Sequence, residues 1–347
     1  MLLSAASISD HYPDRERTVP ALYAEVLGQG IFADELGYHA LFLAEHHFHQ
    51  YGAVPNPAVL LASLAQRTKQ LRLGTSISVL PFRNPALVAE DYAMLDVLSN
   101  GRLELGVGSG YLKHEFAGFG IDAAEKRERF EENLDLLERL LRGERVTHVG
   151  RFASLDGIRL NILPIQKEVP IHVATLRREG AYHIGRQGRR MMSVPYATLD
   201  SFEEIGGLVS EFHRGRREAG LPGDLSEANS VLLHTHVATS DAEARRNAAD
   251  AFDLYVATRL YAKRAVYDDV IRSGLALFGS VETVAEKMSR LAEMGVDHVM
   301  SLHNFGLMPD ALVRRSMRML MEEVMPRVRV AASDRSPNSG TIASALV

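Results

Sequence analysis

Residues 71–111, LRLGTSISVLPFRNPALVAEDYAMLDVLSNGRLELGVGSGY, contain one full period of a repeating plan. Leu71 to Leu80 is apolar and β-branched and reads as a buried strand. Pro85 to Leu98 opens on proline, a favoured first helical residue, and Asn100-Gly101 closes it, so it reads as a helix. Leu103 to Val107 is a second short strand. Strand, helix and strand at this spacing make a βαβ unit, whose strands pair in parallel.

The same alternation extends both ways. Upstream, LLSAASI (2–8) and His39 to Ala44 read as strands, and Val19 to Gly37 and Pro57 to Gln66 as helices. Downstream, strands are expected at Val169–Val173, Met191–Pro195, Val231–Val237 and Asp297–Ser301. Helices are expected at Ala124–Leu141, Glu179–Gln187, Phe202–Ala219, Asp241–Tyr267, Val281–Met294 and Pro309–Val324. Eight strands separated by helices predict an α/β fold of the (β/α)8 TIM-barrel kind, with its active site at the carboxyl ends of the strands. The polar stretch Arg142 to Lys167 reads as an insertion segment between strands four and five. Residues 1–330 are expected to form one barrel domain, and 331–347 a tail without core periodicity.

Composition narrows the function. The 347 residues include no cysteine, which excludes disulfides, zinc–thiolate sites and a cysteine nucleophile. A net charge of −5 argues against nucleic-acid partners and against a polybasic membrane patch. No stretch reaches the roughly eighteen apolar residues of a membrane span, and the start of the chain lacks a signal-peptide pattern, so the expected location is cytoplasmic.

Four clusters could carry chemistry. Glu45-His46-His47-Phe48-His49 follows the second strand, where a barrel places catalysis. Neighbouring strand residues face opposite ways, so His46 and His47 would not share a metal, and HExxH is absent. His46 suits proton transfer near neutral pH; His47 is either a second such group or a hydrogen-bonded core histidine. Gly106-Val-Gly108-Ser109-Gly110-Tyr111 has tyrosine where a dinucleotide fingerprint needs its third glycine. It is either a tight turn or a bare backbone that a flat ring or phosphate can approach. Thr75, Ser76 and Ser78 place hydroxyls near the end of a buried strand, either as small barrel-filling residues or as a pocket wall. Thr175-Leu176-Arg177-Arg178 opens a helix, and is either a phosphate site or a solvated charge cluster.

These blocks resemble the bacterial luciferase-like flavin-dependent monooxygenase family. ELGYHALFLAEHHF (35–48) is similar to its second-strand motif, LAQRTKQLRLGTSISVLPFRNPALVAEDYAMLDVLSNGRLELGVGSGY (64–111) to its third and fourth βα units, with LDVLSNGRLELGVGSGY (95–111) the most specific part, and FGSVETVAEKMSRLAEMGVDHVMSLHNFGLMPDALVRRSMRMLMEEVMP (278–326) to its carboxyl-terminal pattern. The resemblance implies a (β/α)8 barrel and a two-component enzyme. Reduced FMN would come from a separate NAD(P)H:flavin reductase, and O2 would react at flavin C4a to give a hydroperoxide that oxygenates a small organic substrate.

Carried over by position, His46 falls on the family's catalytic histidine and His47 on its neighbour. Ser76-Ile77 falls on a cis peptide beneath the flavin ring. Gly108, Ser109, Gly110 and Tyr111 fall on the flavin loop, and Thr175, Arg177 and Arg178 on a second phosphate loop. Luciferase has arginine where this chain has Ser109; Arg177 and Arg178 are expected to supply that charge. Luciferase's flavin-packing tryptophan is absent, which points away from long-chain aldehydes and towards substrates such as natural-product intermediates. The rival readings are an F420-dependent oxidoreductase on the same barrel and a non-catalytic flavin-binding protein. A homodimer through helices such as Pro85–Leu98 is expected, because that helix is apolar on more than one face.

Overall fold

A computed structural model describes residues 1–222, 228–259 and 264–329; the expected tail, 331–347, lies outside the described residues. Eight parallel strands form the barrel: β1 (Leu2–Ser7), β2 (Ala40–Leu43), β3 (Arg72–Thr75), β4 (Leu103–Gly108), β5 (Ile171–Thr175), β6 (Arg190–Ser193), β7 (Asn229–Ala238) and β8 (His298–Asn304). They pair in sequence order, and the circle closes through the pairing of β8 with β1. Around them lie α1 (Val19–Leu36), α2 (Pro57–Ala65), α3 (Pro85–Leu98), α4 (Lys113–Gly118), α5 (Lys126–Leu141), α6 (Arg178–Arg186), α7 (Glu204–Glu218), α8 (Asp241–Ala257), α9 (Tyr267–Ser273), α10 (Val281–Glu293) and α11 (Asp310–Met319). Among the described residues no helix is long and apolar enough to cross a membrane.

Local chemistry sets the helix starts. α2 and α3 both begin Asn-Pro. Asn56 accepts a hydrogen bond from the Ala58 amide at 3.1 Å, and Asn84 from that of Ala86 at 2.9 Å. The following proline has no amide hydrogen to leave unpaired. α1 stops at Gly37, whose φ of 79° suits glycine.

Several elements differ from the sequence expectation. Residues 71–80 are not one strand: β3 ends at Thr75, the Ser76–Ile77 peptide bond is cis, and Ser78–Val79 pairs anew with β4. The insertion 142–167 contains an antiparallel hairpin, Val146–Val149 with Ser154–Ile158. The helix expected over 241–267 ends at Ala257 as α8, residues 260–263 lie outside the described residues, and α9 (Tyr267–Ser273) is a further helix with no counterpart in the sequence expectation. Leu277–Ser280 adds a strand beside the upper half of β7. Its four residues are too few to show a period, so the sequence pattern assigns them to no element.

The floor of the barrel, at the amino ends of the strands, is closed by polar side chains. Glu104 of β4 accepts from His172 of β5 at 2.8 Å and from Arg72 of β3. His298 of β8 bonds Ser4 of β1 at 2.7 Å and packs edge-on against His39.

Candidate active site at the barrel mouth

At the opposite end, β2 runs into Glu45-His46-His47, and the two histidines find different carboxylates. His46 Nδ1 lies 3.2 Å from Glu115 Oε1, and the same oxygen accepts the His47 amide at 2.9 Å. His47 Nε2 lies 3.1 Å from Glu45 Oε1, while Ser78 donates to the other Glu45 oxygen at 3.1 Å. Glu115 sits on α4, a helix absent from the sequence expectation; its one local signal is a carboxylate beside the apolar run FAGF (116–119). Glu45 was in view but had been given no role.

Burial pushes the His46 imidazole below its ordinary range, against the opposing hydrogen bond and charge of Glu115. His46 is therefore neutral at pH 7. With Nδ1–H donating to Glu115, Nε2 carries the lone pair, so the ring can accept a proton there. The imidazole rests on the Tyr51 ring, 4.4 Å between centroids. Tyr51 in turn lies with its hydroxyl 3.3 Å from that of Tyr111.

The broken third strand is tied to this group. The Ser76 amide donates to Leu43 at 2.8 Å, and the Glu45 amide donates to Ile77 at 3.2 Å. The glycines of β4 let that break pack closely. A Cβ on Gly106 would fall 2.0 Å from the Thr75 carbonyl, and one on Gly108 would fall 2.1 Å from the Ile77 side chain. Part of the bare backbone is thus occupied by the chain itself. Beyond it, Ser109, Gly110 and Tyr111 are half-buried at the rim, as are Ser76 and Ile77, whereas all of β4 is buried.

Next round the barrel, β5 ends at Thr175 and α6 begins. Thr175 Oγ1 accepts the Arg177 amide at 3.2 Å, and no side chain caps the helix. A Cβ on Gly180 would fall 2.1 Å from Thr175 Oγ1, so glycine lets the helix start approach the strand end. The two arginines separate: Arg178 pairs with Glu204 at 3.4 Å, while Arg177 is exposed and makes no ion pair among the described residues. The structure thus joins His46, His47, Ser76–Ile77 and Gly108–Tyr111 in one connected group, sets Thr175 and Arg177 beside it, and turns Arg178 away. Among the described residues no cluster of three or more His, Asp or Glu could hold a metal ion.

The family model of the luciferase-like monooxygenases matches residues 7–298. The chain belongs to that family. Its relatives include the oxygenase component of a flavin-dependent trigonelline monooxygenase from Acinetobacter baylyi, 27% identical over 92% of this chain and 94% of that one. An F420-dependent glucose-6-phosphate dehydrogenase from Microbacterium testaceum is also 27% identical, over 88% of this chain and 93% of the relative. Among solved structures, the monooxygenase RslO1 from Streptomyces bottropensis superposes with a TM-score of 0.85 at 29% identity, covering 94% of this chain and 99% of that one. The characterised relatives of this luciferase-like chain are thus monooxygenases or other oxidoreductases, which supports an enzyme with a flavin-type cofactor.

Proposed function

We propose that this chain is the oxygenase of a two-component monooxygenase, taking reduced FMN from a separate NAD(P)H:flavin reductase and O2 as co-substrate to oxygenate a small organic molecule. The observation that carries the reading is an uncapped helix start and a neutral base on one rim. The uncapped start of α6 offers free amides and the Arg177 charge to a phosphate; Glu179 in the same turn subtracts from that charge. The half-buried Ser76–Ile77 step and the Ser109–Tyr111 loop would bear the ring, between that start and His46. The residues present therefore fit FMN.

Reduced FMN, when bound, supplies the activation of O2 and the oxygen atom delivered. The chain's own work is to bind, orient and move protons. His46 would accept or return a proton at Nε2, with Glu115 holding the ring in the correct tautomer. His47, fixed by Glu45, would hold the strand end that carries His46. Tyr51 and Tyr111 would close the rim against water.

Two copies of this chain would pair through α2 and α3, where Val59, Leu87, Met94 and Leu98 are exposed apolar residues. A single-chain mass by light scattering would reject this pairing.

The F420 reading is favoured by the F420-dependent relatives. Titrating the purified chain with each cofactor separates the two: FMN should show a perturbed visible spectrum and saturable binding, and F420 should not. Mixed with aerated buffer, protein-bound reduced FMN should then reoxidise on a different time course from free reduced FMN. Identical time courses would reject the oxygenase and leave a flavin carrier.

A further inference from the structure

EHHFH (45–49) carries a third histidine, His49, that the proposed function leaves unused. The chain after His46 folds back on it. It turns at Phe48, whose φ of 58° is a conformation that bulky residues seldom adopt. It returns at Val54, whose carbonyl accepts the His46 amide at 3.1 Å. Two more bonds tie the turn to the segment after β1: the His11 amide donates to the Gln50 carbonyl at 2.9 Å, and the Ala53 amide to that of Ser9 at 2.8 Å. This turn is the seat of His46. The buried Tyr51 ring supports the imidazole, and a Cβ on Gly52 would fall 2.8 Å from the imidazole Cδ2, so only glycine lets the backbone pass there.

Inside the turn, His49 Nδ1 accepts the Tyr51 amide at 3.1 Å. An imidazole accepts at Nδ1 only while neutral, with its proton on Nε2. Partial burial holds His49 below its ordinary range, with His114 adding to the effect and Glu115 opposing it. Those two groups face it from α4. The His114 ring lies 5.4 Å from that of His49, and its Nε2 donates to the His47 carbonyl at 3.0 Å. The segment after β1 brings one more titratable group to the turn, His11, through its amide on Gln50. His49 itself is half-buried, so solvent protons reach it.

We propose that His49 is a positioning residue for His46, a latch worked by one proton. Neutral, its Nδ1 holds the Tyr51 amide and keeps the tyrosine ring against the His46 imidazole. Protonated, the same nitrogen becomes a donor, meets the amide donor to donor, and lets the turn go. The proton comes from solvent and returns to it. This rests on reading His46 as the base of the site. Acid then disables that base in two ways: it fills Nε2 of His46, and it loosens the ring's support. Asparagine at position 49 would offer the amide two residues on an oxygen that does not titrate, as in an Asx-turn. Alanine would offer nothing.

The test follows the Tyr51 amide by NMR in the full chain, labelled with nitrogen-15 in tyrosine and histidine. The Tyr51 peak is assigned as the one that Tyr51→Phe removes. In wild type it should shift with the midpoint at which the His49 ring nitrogens titrate, below about pH 6.5. His49→Asn should keep the amide protected and abolish that midpoint. His49→Ala should speed its exchange with solvent about fivefold at pH 7.5, as the loss of one hydrogen bond allows. The His46 ring nitrogens should move in His49→Ala and stay near their wild-type positions in His49→Asn. An amide midpoint kept in His49→Asn, unchanged exchange in His49→Ala, or a His46 ring indifferent to both would overturn the latch. None of these readouts involves flavin, so FMN binding, read from its visible band, stands or fails separately.

Discussion

The barrel holds a histidine–glutamate pair at each end, and the two are finished differently. At the floor, burial alone would raise the Glu104 carboxyl, but the hydrogen bond from His172, the nearby His39 and the Arg72 charge hold it well below the usual range. At the mouth, Glu115 receives only the His46 ring and a backbone amide among the described residues. His46 is left depressed by burial, with a lone pair at Nε2. One pair is electrically closed and can do little but hold strands together; the other keeps a group that changes state when a proton arrives. The two ends of a (β/α)8 barrel divide stability and chemistry in this way.

The comparison breaks most readily by deleting one member at each end. His46→Ala should fold and still bind FMN while product formed per reduced flavin falls by about 10²–10⁴-fold, the usual range for a lost acid–base group. Glu104→Ala should do the opposite, lowering the free energy of unfolding in urea by about 3–5 kcal/mol because Arg72 and His172 lose a buried partner. If His46→Ala turned over normally, or Glu104→Ala were fully stable, the division between the ends would be gone.

Acid sharpens the contrast. Burial lowers His298 to about 3, with His39 and His172 adding to the effect. Its unfolded value is near 6.5, so above that pH it contributes nothing. As pH falls below about 6.5 the unfolded chain takes the proton first, and stability should decline down to about pH 3. Urea midpoints at pH 7.5 and 5 read this directly. At the mouth, the acid limb of the rate profile should lie below 6.5, since His46 is also depressed. Glu115→Gln removes the group that holds His46 up and should move that limb further down. A limb that stays in place would separate Glu115 from His46.

Much of this was legible in the sequence, for physical reasons. Long amphipathic helices and Asn-Pro or Gly boundaries leave local signals, so all eight barrel strands and most of the helices were placed. EHHF and GVGSGY marked the mouth because histidines and glycines are costly inside strands unless used. The partners were not legible. Glu115 reaches His46 from α4, and nothing local encodes that convergence. Glu104 did leave a trace, a carboxylate between leucines in LELGV, which a buried strand tolerates only with a partner. The break after Thr75 was invisible to residue pattern alone; family resemblance placed it, and the structure has it at Ser76–Ile77.

The smallest effect concerns charge left over at the rim. Arg178 is committed to Glu204, whereas Arg177, at the uncapped start of α6, makes no ion pair among the described residues. A single exposed cation facing a phosphate is worth about 1 kcal/mol, so Arg177→Ala should weaken FMN by roughly fivefold. It should also flatten the salt dependence of binding, because one screened attraction has been removed. Riboflavin, which lacks the phosphate, should bind wild type and variant alike. If both flavins weakened equally, Arg177 would be shaping the loop. If neither did, the helix amides and Thr175 would suffice, and the rim would need no counterpart to the Arg72 that closes the floor.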